Sequence, residues 1–253
     1  MNNYTIPHWP APACIKAYTT VRTAGYSNEP YHSFNLALHV GDNELDVLNN
    51  REKLKNDLKL PAEPKWINQT HSNIAVLAKT ISDKKVITAD ASYTQENNTV
   101  CAVLTADCMP ILVTNQAGTE IAAIHAGWKG LADGIIESAL SALKSSLKEL
   151  LIWIGPSISQ AHYEVGKDFY DAFISHHTEQ EIAHAFHRKP TSDTLKWLAD
   201  VPLLATQRLT KLGVLSKNIY LSHECTYKHA DRYFSYRRDG ITGRIASLIW
   251  IEK

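Results

Sequence analysis

The strongest constraint on this chain is the spacing of three apolar runs, residues 100–105, 111–114 and 120–125, parted only by short turns. Strands this near one another in sequence pair antiparallel or enter a mixed sheet, because a parallel partner needs a longer crossover. Other strand-like runs are 14–20, 65–67, 74–78, 85–88, 150–154, 219–222, 233–236 and 245–251. Helical spacing predicts helices over 46–60, stopping before Pro61, and over 130–148, a single amphipathic stretch. Helices over 166–176 and 179–187 follow, then one opened by Asp200-Val201-Pro202 and closed at Gly213. A strand-rich first half with helices interspersed later indicates α+β with mixed sheets rather than regular βαβ alternation. No repeat or linker-like tract divides the sequence, so residues 1–253 are expected to form a single domain.

Lys plus Arg equals Asp plus Glu at 26 each, so no net field argues for nucleic acid or an anionic membrane surface. No apolar stretch is long enough to cross a bilayer. Residues 1–12 are polar, lack a basic start and do not read as a signal peptide. Cys14, Cys101, Cys108 and Cys225 are scattered without a C-x-x-C pair, which suits reduced thiols or ligands better than a disulfide framework. The expectation is a cytoplasmic protein, with a monomer as the default.

Three short segments place a metal-competent or nucleophilic side chain where an apolar stretch meets a turn: Gln69-Thr70-His71, Thr105-Ala106-Asp107-Cys108-Met109-Pro110 and His125-Ala126-Gly127-Trp128. Cys101, inside an apolar run, reads as a small hydrophobe. Cys108 lies in a turn between two such runs, where reactive groups are usually displayed. His125 ends a strand that alternates, and His71 stands one side chain past the segment 66–70, read as another strand. If they converge, two imidazoles and a thiolate are three metal ligands with a fourth position open, as in catalytic zinc sites. The same trio also reads as a cysteine nucleophile with a histidine base. His184 and His187 stand at a chelating interval on a helix, where a solvated face is the common case, and the adjacent His176 and His177 cannot easily share a site. His162 and His223 have no role on this reading. Arg22, Arg237, Arg238 and Arg244 are possible anion clamps, the last three around a Gly-rich turn read as flanked by strands.

The segments Q-T-H-S-N, T-A-D-C-M-P-I-L, A-A-I-H-A-G-W-K-G-L and F-S-Y-R-R-D-G-I-T-G-R together resemble the YfiH-like laccase-domain family, also labelled polyphenol oxidase or purine nucleoside phosphorylase. T-V-R-T-A-G-Y-S, Y-H-S-F-N-L-A-L-H-V-G-D and G-P-S-I-S with Y-E-V-G are similar too, so the resemblance spans nearly the whole chain. It implies mixed sheets flanked by helices and a metal site on His71, Cys108 and His125. It further implies a zinc enzyme, with copper as a possible substitute, that phosphorolyses adenosine, inosine or methylthioadenosine and deaminates adenosine. The partners would be nucleoside and phosphate, with no nucleic acid and no membrane. Asp107 would be an acid/base or supporting group, and Arg22, Asn35, Gln69 and Arg244 would bind substrate or phosphate. Two alternatives accompany the family: a Cys-His hydrolase that edits peptidoglycan precursors, and a copper-loaded phenol oxidase activity. The chain has no H-x-H pair, and one Cys-His-His set is too few ligands for a multicopper assembly. Two departures from the family pattern are Ala24, where a glycine is usual, and His162, where a cysteine is common and which is thereby drawn toward the pocket.

Overall fold

The computed structural model describes residues 4–81, 86–176, 178–189 and 195–253. Its strands are β1 (Tyr4–Thr5), β2 (Ile15–Thr20), β3 (Ala75–Leu77), β4 (Ala91–Thr94), β5 (Cys101–Thr105), β6 (Met109–Asn115) and β7 (Ile121–Ala126). These are followed by β8 (Leu150–Ile154), β9 (Glu164–Val165), β10 (Phe186–Arg188), β11 (Trp197–Ala199), β12 (Ile219–Leu221) and β13 (Ile245–Ile251). Helices are α1 (Glu44–Leu58), α2 (Trp128–Ala132), α3 (Ile135–Ser141), α4 (Lys167–Ile174), α5 (Glu179–Ala185), α6 (Val201–Leu212) and α7 (Tyr236–Asp239).

Among the described residues three sheets result, in the orders β12-β8-β6-β7-β4-β3, β1-β2-β13-β5 and β10-β11-β9. The fold is α+β, and the six-stranded sheet is mixed: antiparallel at its centre, parallel where β8 meets β12 and where β4 meets β3. Alternate residues of β6 and β7 enter two different cores. Ile111, Val113 and Ile124 pack with Leu131, Ile135, Leu204 and Leu209 of the helices, whereas Leu112, Ile121 and Ala123 pack with Val103 and Ile249 of the four-stranded sheet. The far face of that second sheet is covered by Leu36 and by Leu54 of α1. Burial on both faces is why β6 and β7 read as continuous apolar runs; β7 is buried throughout and does not alternate with solvent.

Several expectations shift. The stretch 130–148 is not one helix, because Gly134 adopts a left-handed φ of 94° and separates α2 from α3. Such a conformation suits glycine and interrupts a right-handed helix. Residues 65–67 make only an isolated bridge, Lys65 to Cys101, and 233–236 form no strand; Tyr236 instead starts α7, capped by Ser235. The Gly-rich turn therefore has a helical turn, not a strand, on one side. Thr88 makes an isolated bridge with Asn68, while Lys85 lies outside the described residues, as does His177. Short β4 and the β9–β11 sheet were not anticipated. Helix α6 follows the sequence closely: the Asp200 carboxylate accepts from the Leu203 amide and Gly213 closes the helix in a left-handed conformation.

Candidate metal and substrate site

Cys108 sits where the chain leaves β5 in one sheet and enters β6 in the other. The turn depends on Asp107, whose φ is 86°. Its carboxylate accepts from Thr226 Oγ1 at 2.6 Å, Ser235 Oγ at 3.0 Å and the Arg237 amide at 2.7 Å. Three donors on one buried carboxylate tie the turn to two later segments. This arrangement fits a support for Cys108 better than a mobile proton carrier.

His125 lies in β7, paired in register with Pro110. Its Nδ1 donates to Asp90 Oδ1 at 2.7 Å, which leaves Nε2 for the site. Asp90, 0% exposed, also accepts from three successive amides, those of Thr70, His71 and Ser72, and from Ser72 Oγ. These bonds hold His71 at φ 62°, a left-handed conformation that costs a non-glycine residue about 1 kcal/mol. The Gln69 side chain pairs with both the amide and the carbonyl of Leu104, each at 2.8 Å, and pins the same loop to β5. Gly127 leaves room for the ring, since a Cβ there would lie 2.2 Å from His71 Cδ2. No strand precedes His71, contrary to expectation: only the bridge at Asn68 is formed.

Cys108 Sγ is 3.5 Å from His71 Nε2, the two imidazole rings meet edge-on at 4.9 Å, and all three ligand atoms lie within 4.8 Å of one another. A tetrahedral ion with ordinary zinc–sulfur and zinc–nitrogen bonds separates S and N by about 3.5 Å. The donor set therefore fits a metal ion, and thiolate with imidazoles suits zinc or copper. Asp90 behind His125 is the usual carboxylate that orients a ligating imidazole. Among the described residues this is the only such group of three; His184 and His187 do not form one.

Burial opposes every charge here, yet the charges support one another. Burial raises the Cys108 thiol, but the neighbouring His125 and hydrogen bonds from both histidines bring it down to about 6. Burial lowers His125, and the Cys108 thiolate together with Asp90 raises it to about 9. Burial raises Asp90, whereas hydrogen bonds from His125 and Ser72 bring it to about 2. These directions favour a thiolate on Cys108 and a proton on His125, and a metal bound through Nε2 would displace the proton there.

Two cavities share His71, Ala106, Cys108 and Tyr236. One, about 270 Å³, is lined by Met109, Trp128, Ile158, Tyr163, Val201 and Arg237, with Asp107 at its wall. The other, about 350 Å³, is lined by His39, Gln69, Thr105, His125 and Arg244. Arg244 thus reaches the site. Arg22 lines neither cavity; it donates to the His32 and Ala230 carbonyls and stacks on Phe234. Asn35 also lines neither: fully buried, it donates to Ala37 and Asp42 and accepts from the Arg244 amide, so it aims Arg244 from behind. Arg238 is consumed by the carbonyls of Thr226, Tyr227 and Tyr233. His162 stacks on Tyr227, and its neighbour Tyr163 is the one that lines the cavity. Ala24 holds φ 68°, the conformation for which a glycine would be at ease. Sequence reasoning missed Asp90, whose only signal is an acid set between Ala89 and Ala91.

Fold and site together define an α+β protein with a Cys-His-His cluster between an aromatic and a polar cavity. The chain belongs to the multi-copper polyphenol oxidoreductase laccase family, whose model matches residues 16–252. The purine nucleoside phosphorylase YfiH of Escherichia coli (strain K12) is 41% identical, over 99% of this chain and 100% of that protein. The purine nucleoside phosphorylase of Haemophilus influenzae is also 41% identical, over 97% and 98%. A crystal structure of Neisseria meningitidis protein NMB0706 superposes with a TM-score of 0.91 at 41% identity, covering 99% of this chain and 100% of that one. That of YlmD from Geobacillus stearothermophilus gives 0.89 at 26% identity, covering 99% and 97%.

Proposed function

We propose that the chain is a zinc-dependent purine nucleoside phosphorylase, acting on adenosine, inosine or methylthioadenosine, with adenosine deamination as a second activity. The observation that carries this reading is the Cys-His-His cluster opening onto a cavity walled by Trp128 and Tyr163. The names of the relatives support it. A zinc ion held by His71, Cys108 and His125 would supply Lewis acidity to an oxygen or nitrogen at its open position.

The chain's own residues do the rest. Trp128 and Tyr163 offer apolar faces to a planar base, and the Arg237 guanidinium, 4.8 Å from the Tyr163 ring, gives that cavity a polar edge. Asp90 keeps the proton of His125 on Nδ1. In phosphorolysis a phosphate oxygen bonds to C1′ as the bond from C1′ to the base nitrogen breaks. The electron pair leaves with the purine, which gains the proton that hydrogen phosphate gives up. In deamination water adds at C6 of adenosine and ammonia leaves. Holding both reactants in one geometry makes the step effectively unimolecular. The reading takes nucleoside and phosphate as partners of a cytoplasmic monomer, with no nucleic acid or membrane; among the described residues no helix is long and apolar enough to cross a membrane.

The test is incubation with adenosine, with and without phosphate, followed by chromatography. Adenine and ribose 1-phosphate are expected only with phosphate, and inosine in either case. Absence of any phosphate-dependent product removes the phosphorylase reading. A second reading, a cysteine hydrolase of peptidoglycan precursors, is favoured by one observation: the Cys108 thiol is brought to about 6 beside two imidazoles.

A further inference from the structure

Past the end of the parallel pair β8–β12 the two chains part and then meet again. Leu221 pairs with Ile154, and the chains rejoin at the bridge between Ser157 and Cys225. His223, at a φ of 56°, carries its chain around the gap. A cavity of about 200 Å³ opens there, lined by Ser157, Ser159, Gln160, Asp200, His223 and Glu224 among others, with no residue of the Cys-His-His cluster.

Its polar atoms are chiefly acceptors, and several are unused among the described residues. Asp200 Oδ1 accepts from the Leu203 amide, which leaves Oδ2. Neither Asp200 nor Glu224 enters a salt bridge among the described residues. No lysine or arginine lines the cavity. Gln160 Nε2 donates to the Ala185 carbonyl at 3.3 Å, so its amide oxygen is the end left over. Ser159 Oγ gives its proton to Cys225 Sγ at 3.1 Å and keeps its lone pairs. Ser157 is 5% exposed; its amide and carbonyl are both paired, but its hydroxyl makes no hydrogen bond among the described residues. A buried hydroxyl without a partner is costly, and a ligand at this wall would complete it.

We propose that this cavity binds an alkylammonium group, held by the Asp200 and Glu224 carboxylates with hydrogen bonds to Ser157 and Gln160. An ammonium carries three donors and no acceptor, which matches an acceptor-rich lining. An anion is opposed by two carboxylates, and the start of α6 that would attract one is already capped by Asp200. Asp200, His223 and Glu224 do not converge as ligands of one metal ion, since His71, Cys108 and His125 are the only such group among the described residues. Ser157 also lines the aromatic cavity, so the ammonium belongs either to a free amine or to an arm on a nucleoside held there. The second source rests on the nucleoside reading; the first does not.

The test is calorimetry at low salt with putrescine, butanediol and calcium as separate probes, and with adenosine carrying a 5′-aminopropylthio arm against its propylthio counterpart. Putrescine should bind and butanediol should not, and the affinity should fall as salt is raised. Asp200→Asn, which keeps the helix cap, and Glu224→Gln should each weaken putrescine roughly five- to tenfold. Ser157→Ala should weaken it too while keeping or raising the melting temperature, which a merely structural serine would not do. A preference for the amine-bearing nucleoside that disappears in Glu224→Gln supports the site and identifies a substrate arm. Putrescine binding without that preference supports the site and identifies a free amine, whatever becomes of phosphorolysis. Calcium binding in place of either amine, no amine binding, or amine binding unchanged in the Asp200→Asn, Glu224→Gln double variant overturns the site.

Discussion

The two histidines of the cluster are held in opposite ways. His125 belongs to a strand buried on both faces, and its place follows from the pairing of β6 with β7. His71 lies in an irregular, exposed loop, at a backbone conformation its residue type disfavours. Both nevertheless converge on one carboxylate: Asp90 takes the Nδ1 proton of His125 and the amides on either side of His71. The sheet gives one ligand rigidity outright, and the other acquires it through a single buried acid. That difference predicts where the site is fragile.

Asp90→Asn should produce the largest effect, since it reaches both arms. The stability loss is on the order of 3 kcal/mol by chemical denaturation, because buried donors lose a charged acceptor. Metal affinity should fall roughly 10- to 100-fold. The pH dependence has a definite sign. The carboxyl is held at about 2 in the folded chain against an ordinary 3.8. Its contribution is therefore complete above pH ~4 and lost as pH falls toward ~2, and denaturation of Asp90→Asn should lack that dependence.

Gly127→Ala should separate the arms. The new Cβ would overlap the His71 ring, which is exposed and able to turn away, while His125 and its strand are untouched. Metal affinity is expected to fall roughly tenfold with a stability change under about 1 kcal/mol. Equal losses of stability in the two variants would show that the arms are not held differently.

The same contrast explains what the sequence made legible. The apolar runs that became β5, β6, β7, β8 and β13 were readable because burial on both faces demands continuous hydrophobic residues. Helix α6 was readable from Asp200, Pro202 and Gly213, whose roles are local. Cys108 and His125 stood out for similar reasons, since a turn between two strands and a strand end are short-range features. Asp90 was not readable, because its significance lies in contacts to residues about 20 and 35 positions away. Arg22, equally prominent as an arginine in a turn, proved to line neither cavity beside the cluster, whereas Arg244 lines the polar one. Local sequence gives the residue type, and only long-range register shows which arginine reaches the site.

The central claim is that Cys108 acts as a metal ligand and not as a nucleophile. The direct measurement is metal content and phosphorolytic activity on one sample, before chelation, after chelation and after zinc is returned. About one metal ion per chain is expected, with activity lost with the metal and restored with zinc, and neither metal nor activity in Cys108→Ala. Full activity in the metal-free wild type, abolished only by Cys108→Ala, would contradict it and leave Cys108 as the attacking thiolate.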